Sequence, residues 1–155
     1  MMMEKSNQAS FSLRKVLLIA LIAGTLDGLA AVIFLAKMNF SGVFKYIASA
    51  ILGSSAFTGG IKTVLTGVAL HYFIAFSFTL FYVFAATKIA LLKRHFILSG
   101  AIYGLVVWTV MNLIVVPLTK IPAVPFHFER AIINMVILVF CIGLPISYLT
   151  ARKIY

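Results

Sequence analysis

Four polar side chains interrupt long apolar stretches of this sequence, and with them the chain could bind or relay a proton. They are Asp27, His71, Asn112 and Asn134. At membrane depth an ionisable group is costly unless it faces protein or water. A carboxyl and an imidazole at matched depth can exchange a proton where water reaches them. The sequence predicts that these four side chains form one polar cluster within the external half of a helical bundle.

Other interpretations of the same residues stay open. An acid and a histidine in a small bundle also serve to fix helix register through mutual hydrogen bonding. A small oligomeric transporter or channel component could use the cluster for ion passage, and it would need several copies, because four helices leave little room for a water-filled pore. The third class is an intramembrane enzyme or a lipid-binding accessory factor.

The chain lacks the sequence patterns of several other chemistries. One cysteine, Cys141, and three well-separated histidines cannot supply a four-ligand zinc site. Haem held by two histidines would need His71 together with His127, a pair that nothing else in the sequence supports. A P-loop, a dinucleotide glycine fingerprint and a His-Glu-x-x-His helix are all missing. The sequence therefore predicts no cofactor, no metal and no catalytic residue, and it favours a non-enzymatic protein.

The composition indicates that lipid surrounds these polar groups. Of the 155 residues, 63% are hydrophobic and only 10% are charged, and the mean hydropathy is +1.14. Ordinary soluble domains carry about 25% charged residues. Too little polar surface therefore remains to coat a water-soluble globule of this size.

The net charge of +10 arises from thirteen Lys and Arg against three acids. The basic residues fall in small groups that flank the apolar stretches, whereas a nucleic-acid groove needs one continuous basic face. Such groups are typical of the loops of membrane proteins. We expect the lipid bilayer as partner and no nucleic acid, with a homo-oligomer as an open alternative.

Four stretches are long and apolar enough to cross a bilayer as helices. They cover residues 16–36, 63–86, 96–118 and 131–151, and a helix needs about 20 apolar residues to cross about 30 Å of hydrocarbon. The sequence predicts an all-α integral membrane four-helix bundle that forms a single domain over residues 1–155. The first stretch is too long for a signal-peptide core and contains Asp27, so we expect an uncleaved span.

The distribution of positive charge predicts how the chain is oriented. The N-terminal segment, the central loop and the C-terminus hold eight Lys and Arg, and the other two loops hold five. By the positive-inside rule both termini are predicted to be cytoplasmic. The predicted location is the bacterial inner membrane.

The segment between the first two stretches has two parts. Apolar residues such as Val43 and Ile47 recur near helical spacing, which predicts a short interfacial helix in the first external loop. The run that contains Gly53, Gly59 and Gly60 is too rich in small residues for a stable helix. It is predicted to be an external loop above the polar cluster, with a re-entrant cap as the alternative.

Small residues mark where the predicted helices can approach closely. Gly24 and Gly28 share a helical stripe with Asp27, and Gly67 lies one turn before His71. The third stretch contains a Gly-x-x-x-Gly pattern that suits either packing within one chain or dimerisation. The glycines predicted to serve helix packing are Gly24, Gly28, Gly67, Gly100 and Gly104.

Short segments distributed over most of residues 20–146 carry a family resemblance. They are residues 24–27, 48–53, 56–60, 67–71, 74–75, 103–104, 111–113, 117–118 and 143–145. In these segments the chain resembles a group of short, uncharacterised bacterial four-span membrane proteins that are loosely labelled YagU-like, although Ala50 stands where that group often has glycine. The resemblance implies an inner-membrane bundle with an external-side site that includes Asp27, His71 and Asn112. It implies no substrate or reaction.

Overall fold

The computed structural model describes residues 12–152, and within that range the protein is helical without any strand. Six helices follow one another: α1 Leu13–Leu35, α2 Phe40–Leu52, α3 Ile61–Lys88, α4 Ala90–Arg94, α5 Phe96–Leu118 and α6 Phe128–Ala151. A 3-10 helix, Gly53–Thr58, joins α2 to α3. The all-α prediction is confirmed.

Several helical elements are long and apolar enough to cross a membrane, as the composition predicted. Within the described chain they number five, because α2 with its 3-10 extension, Phe40–Thr58, joins α1, α3, α5 and α6. Its mean hydropathy of 1.2 is the lowest of the five, and the others range from 1.8 to 2.4. Residues 53–58 of the glycine-rich run form this 3-10 helix, although the sequence indicated too many small residues for a stable helix.

Local signals set the ends of α2. The Asn39 side chain accepts a hydrogen bond from the backbone N–H of Gly42 at 2.8 Å, which caps the helix start. Just before it, Lys37 and Met38 have positive φ angles of 47° and 71° in the turn between α1 and α2. Gly53, at φ 64°, ends α2 in a conformation that favours glycine.

Helix α1 lies at the centre of the bundle. It packs against α3 on one side and against α6 on another, while α2 packs on α3 and α5 packs on α6. Gly24 of α1 faces Ala75, and Gly28, one turn later in α1, faces His71, one turn earlier in α3. Helices α1 and α3 therefore run antiparallel.

Glycines permit the closest of these helix crossings. A Cβ atom on Gly67 would overlap the carbonyl oxygen of Phe44 in α2. At the crossing of α5 and α6, a Cβ atom on Gly104 would lie 2.5 Å from the Cα atom of Val139, and one on Gly143 would overlap the carbonyl oxygen of Gly100. Backbone meets backbone at these points, so no larger side chain fits without moving a helix.

The interior of the bundle is packed with apolar side chains, and the outer surface is apolar as well. Val16, Ile19 and Ile146 are almost completely buried, whereas Phe73 and Phe81 are about two-thirds exposed, at 66% and 65%. A soluble monomer rarely presents such a surface to water. Lipid is the environment in which large apolar side chains are stable on both sides of a helix.

The two ends of the described chain meet at one end of the bundle. The Nζ atom of Lys15, near the start of α1, donates a hydrogen bond to the carbonyl oxygen of Arg152 at 3.1 Å. Arg152 directly follows α6, and its guanidinium lies 4.4 Å above the centre of the Tyr148 ring.

Candidate functional site

His71 is held by the backbone of α1. Its Nε2 atom lies 2.7 Å from the carbonyl oxygen of Gly24, and the side chain is 9% exposed. A carbonyl oxygen can only accept, so Nε2 carries the proton of this hydrogen bond. In a neutral ring the other nitrogen, Nδ1, is then the site that can gain a proton.

Two aromatic rings border the imidazole. The Phe44 ring of α2 meets it edge to face at a centroid distance of 5.8 Å, and the Tyr72 ring does so at 5.5 Å. The Tyr72 hydroxyl shares a hydrogen bond of 2.8 Å with the hydroxyl of Thr25 in α1. These contacts fix the ring between α1, α2 and α3. Sequence analysis had not included Phe44 or Tyr72 in the site.

Two glycines of α1 make the contact between His71 and the α1 backbone possible. A Cβ atom on Gly28 would lie 3.2 Å from His71 Nε2, and one on Gly24 would lie 3.1 Å from the Cβ atom of Ala75. Both distances are tighter than ordinary van der Waals contact. The glycines let the imidazole reach the main chain, and they are the sequence signal from which this contact could have been found.

Asp27 lies one helical turn after Gly24 and is partly buried. It is within electrostatic range of both His71 and Cys141. Among residues 12–152, no side-chain hydrogen bond or ion pair reaches its carboxyl group. The structure thus brings the acid and the imidazole of the predicted cluster near one another, but the direct Asp27–His71 hydrogen bond of the register-fixing interpretation is not formed.

The two asparagines of the predicted cluster are placed differently. The Asn112 amide donates to the carbonyl oxygen of Trp108 at 2.9 Å, within its own helix. Asn134 lies in the first part of α6, which packs against the end of α1. In the part of the chain that the structure describes, neither amide is hydrogen-bonded to Asp27 or His71.

Three of the long helices contain a π turn, in which the backbone N–H bonds to the carbonyl five residues back. These turns are Ala31–Leu35 in α1, Met111–Val115 in α5 and Leu138–Gly143 in α6. The first begins four residues after Asp27, the second contains Asn112 and the third contains Cys141. Such turns are rare in proteins overall, and those that occur are often found at functional sites. Pro145 is the sequence signal for the third, because it cannot donate to the carbonyl of Cys141.

A second polar network lies near the end of the bundle where Lys15 is bonded to the Arg152 carbonyl. The Tyr82 hydroxyl donates to Ser147 Oγ at 2.7 Å, and Ser147 Oγ donates to the carbonyl of Phe96 at 2.6 Å. The Tyr103 hydroxyl donates to the carbonyl of Phe78 at 2.6 Å. Sequence analysis missed this network. Its groups are paired with one another or with backbone, as expected of a structural link between α3, α5 and α6.

No protein-family model, curated protein or solved structure matches the chain. Over residues 12–152, no three His, Cys, Asp or Glu side chains lie close enough together to hold a metal ion. The described residues of the site contribute one imidazole, His71, and one carboxyl group, Asp27.

Proposed function

We propose that the chain is a four-span protein of the bacterial inner membrane in which Asp27 and His71 bind a proton inside the bundle. This assignment has two parts, the number of membrane crossings and the role of the buried pair. The proposal agrees with the resemblance to the short four-span bacterial proteins. It takes the protein to be non-enzymatic.

The antiparallel packing of α1 on α3 supports four crossings. If both helices cross the membrane in opposite directions, then α2 begins and ends on the same side. The hydrogen bond between Lys15 and Arg152 supports the same conclusion, since an odd number of crossings would separate the two ends of the chain. The low mean hydropathy of Phe40–Thr58 fits a helix that enters one leaflet and packs on α3 without crossing.

The hydrogen bond from His71 Nε2 to Gly24 is the observation that carries the proton-binding role. It fixes the ring and leaves Nδ1 as the nitrogen that takes up a proton. The Asp27 carboxyl group, which has no side-chain hydrogen bond in the described chain, lies within electrostatic range of the ring. Tyr72 and Cys141 are the other titratable groups near the pair.

The decisive experiment measures proton binding at the pair directly. Infrared spectra of the purified protein in lipid, recorded between about pH 4 and pH 9 (a range that brackets the ordinary carboxyl and imidazole pKa values), should show a carboxyl band whose intensity follows pH. We expect Asp27→Asn to remove the Asp27 component of this band and His71→Gln to change the pH range over which that component appears. Glu129→Gln is the matched control, because Glu129 lies in the first turn of α6 and is exposed.

The same variants separate proton binding from proton transport. A transporter or channel component would give a proton flux in liposomes that is lost in Asp27→Asn while the variant still folds. Equal flux from wild type, variant and empty liposomes would exclude transport and leave proton binding standing. A spectrum that does not change with pH in the wild type would contradict the proposed function itself.

A further inference from the structure

An apolar groove opens on the outer surface of the bundle between α1, the start of α5 and the second half of α6. It is a shallow depression, widely open to the outside, with a volume of about 500 Å³, and it is lined by residues that include Ile22, Ile97, Phe140, Leu144 and Tyr148. Phe140 and Tyr148 are eight residues apart on α6, so the groove runs about 12 Å along the helix axis. One leaflet of the hydrocarbon core is about 15 Å thick. The groove therefore has the depth of one leaflet.

Positively charged side chains lie where this groove meets the end of the bundle. The Arg152 guanidinium covers the Tyr148 ring, which itself packs on Phe96 at a centroid distance of 5.6 Å. Lys15 is bonded to the Arg152 carbonyl and lies within electrostatic range of Lys93. The mouth of the groove is thus positively charged while its walls are apolar.

The described chain has no acid that could neutralise this mouth. Asp27 is twelve residues along α1 from Lys15, which corresponds to about 18 Å. Glu129 lies in the first turn of α6, at the opposite end of that helix from Arg152. A ligand with an anionic head and an apolar tail would match both parts of the surface.

We propose that this groove binds one anionic glycerophospholipid of the surrounding bilayer. One acyl chain lies between Ile22, Ile97 and Leu144, and the phosphate is bound by Arg152 and Lys15. Arginine suits this role because its planar guanidinium donates two parallel hydrogen bonds to phosphate oxygens. Basic pockets between membrane helices are established binding places for anionic headgroups. This site shares no residue with the Asp27–His71 pair and does not depend on the proton-binding proposal.

The test measures lipid affinity by native mass spectrometry of the full-length protein released from detergent. Palmitoyl-oleoyl phosphatidylglycerol is compared with phosphatidylcholine that carries the same two chains, and with glycerophosphoglycerol, which has the headgroup but no chains. We expect phosphatidylglycerol to bind more tightly than either. Equal affinity of the two lipids would overturn the role of charge. If glycerophosphoglycerol bound as tightly as phosphatidylglycerol, the acyl chains would contribute nothing. This result would overturn the role of the groove and indicate an anion site only.

Paired substitutions locate the site. Lys15→Gln with Arg152→Gln should weaken phosphatidylglycerol binding about thirtyfold, at about 1 kcal/mol for each charge removed. Lys62→Gln with Lys120→Gln is the matched control, because it removes two cations at the start of α3 and the end of α5. If both double variants lost the same amount of phosphatidylglycerol affinity, only net charge would matter, and this result would overturn the proposal.

A third variant tests the walls of the groove without changing any charge. Ile97 is 65% exposed toward the groove and the lipid, so Ile97→Trp should fold and should fill part of the volume. We expect this variant to weaken phosphatidylglycerol binding. Unchanged affinity would overturn the placement of the acyl chain even if the double charge variant failed to fold.

Discussion

The imidazole of His71 is bound to the main chain of α1, at a place where Gly24 and Gly28 carry no side chain to keep the ring away. Sequence analysis placed His71 with Asp27 on the basis of depth. The atom that holds the ring is the carbonyl oxygen of Gly24, and every residue carries a carbonyl. Only the absence of side chains at Gly24 and Gly28 marks the place where α1 can be approached so closely.

At the residue scale, replacing His71 by Phe should lower the stability of the folded protein modestly. The variant keeps an aromatic ring between Phe44 and Tyr72 but loses the hydrogen bond to Gly24. A buried hydrogen bond between membrane helices contributes about 1 kcal/mol, and we expect a loss of that size in the free energy of unfolding. Unfolding by dodecyl sulfate in mixed micelles measures it.

The control for this stability measurement is Asn112→Leu. Its amide bonds to the carbonyl of Trp108 in the same helix, and a helix that stays formed in the unfolded membrane state keeps that bond. We expect little change in stability. A loss as large as that of His71→Phe would show that Asn112 has an interhelical role which its hydrogen bond does not reveal.

At the scale of helices, the contact of α2 with α3 changes how the first connection is understood. The hydropathy pattern of the segment between the first two predicted spans predicted a helix on the membrane surface. In the structure α2 crosses α3 at Gly67, and its Phe44 ring covers His71. The helix was predictable from its period, but its contact with the site depends on the Asn39 cap and the turn at Lys37 and Met38.

Gly67→Ala should destabilise the protein because the new methyl group would meet the Phe44 carbonyl. Overpacking in a close-packed interior costs about 1–3 kcal/mol, and backbone cannot rotate away as a side chain can. Gly60→Ala is the matched control, since a Cβ atom there meets nothing within 4 Å. Thermal unfolding of both variants in detergent measures the difference, and equal melting temperatures would contradict the close α2–α3 crossing.

At the scale of the whole molecule, the four-crossing proposal makes a definite prediction about which surfaces face each side. Single cysteines at Ser12, Ser54 and Thr87, each in a Cys141→Ser background, occupy exposed positions before α1, after α2 and at the end of α3. A membrane-impermeant thiol reagent added outside intact spheroplasts should label position 54 only. The other two should react only after lysis.

The alternative topology gives a different pattern in the same experiment. If Phe40–Thr58 crossed the membrane, positions 12 and 54 would lie on one side and position 87 on the other. Labelling of position 87 from outside with protection of position 54 would therefore contradict four crossings. The positive-inside rule supplies the expectation that the start of α1 and the end of α6 are cytoplasmic.

The sequence by itself determined the apolar surroundings of this protein and its all-helical class. Both follow from local composition, because hydropathy accumulates along a helix of about 20 residues without reference to any other helix. It also predicts the approximate depth of the polar side chains, since each residue advances the helix by about 1.5 Å.

Only the tertiary structure decided which groups meet. In the structure, His71 is hydrogen-bonded to the carbonyl of Gly24. Within the described residues, neither asparagine is hydrogen-bonded to Asp27 or His71. Helices α1, α5 and α6 each contain a π turn. The tertiary structure also gathered Lys15 and Arg152, which are 137 residues apart, at the mouth of one groove. The physical reason is that such contacts depend on how the helices rotate and pack against one another. Glycines in the sequence mark where backbones can approach, but not which group approaches them.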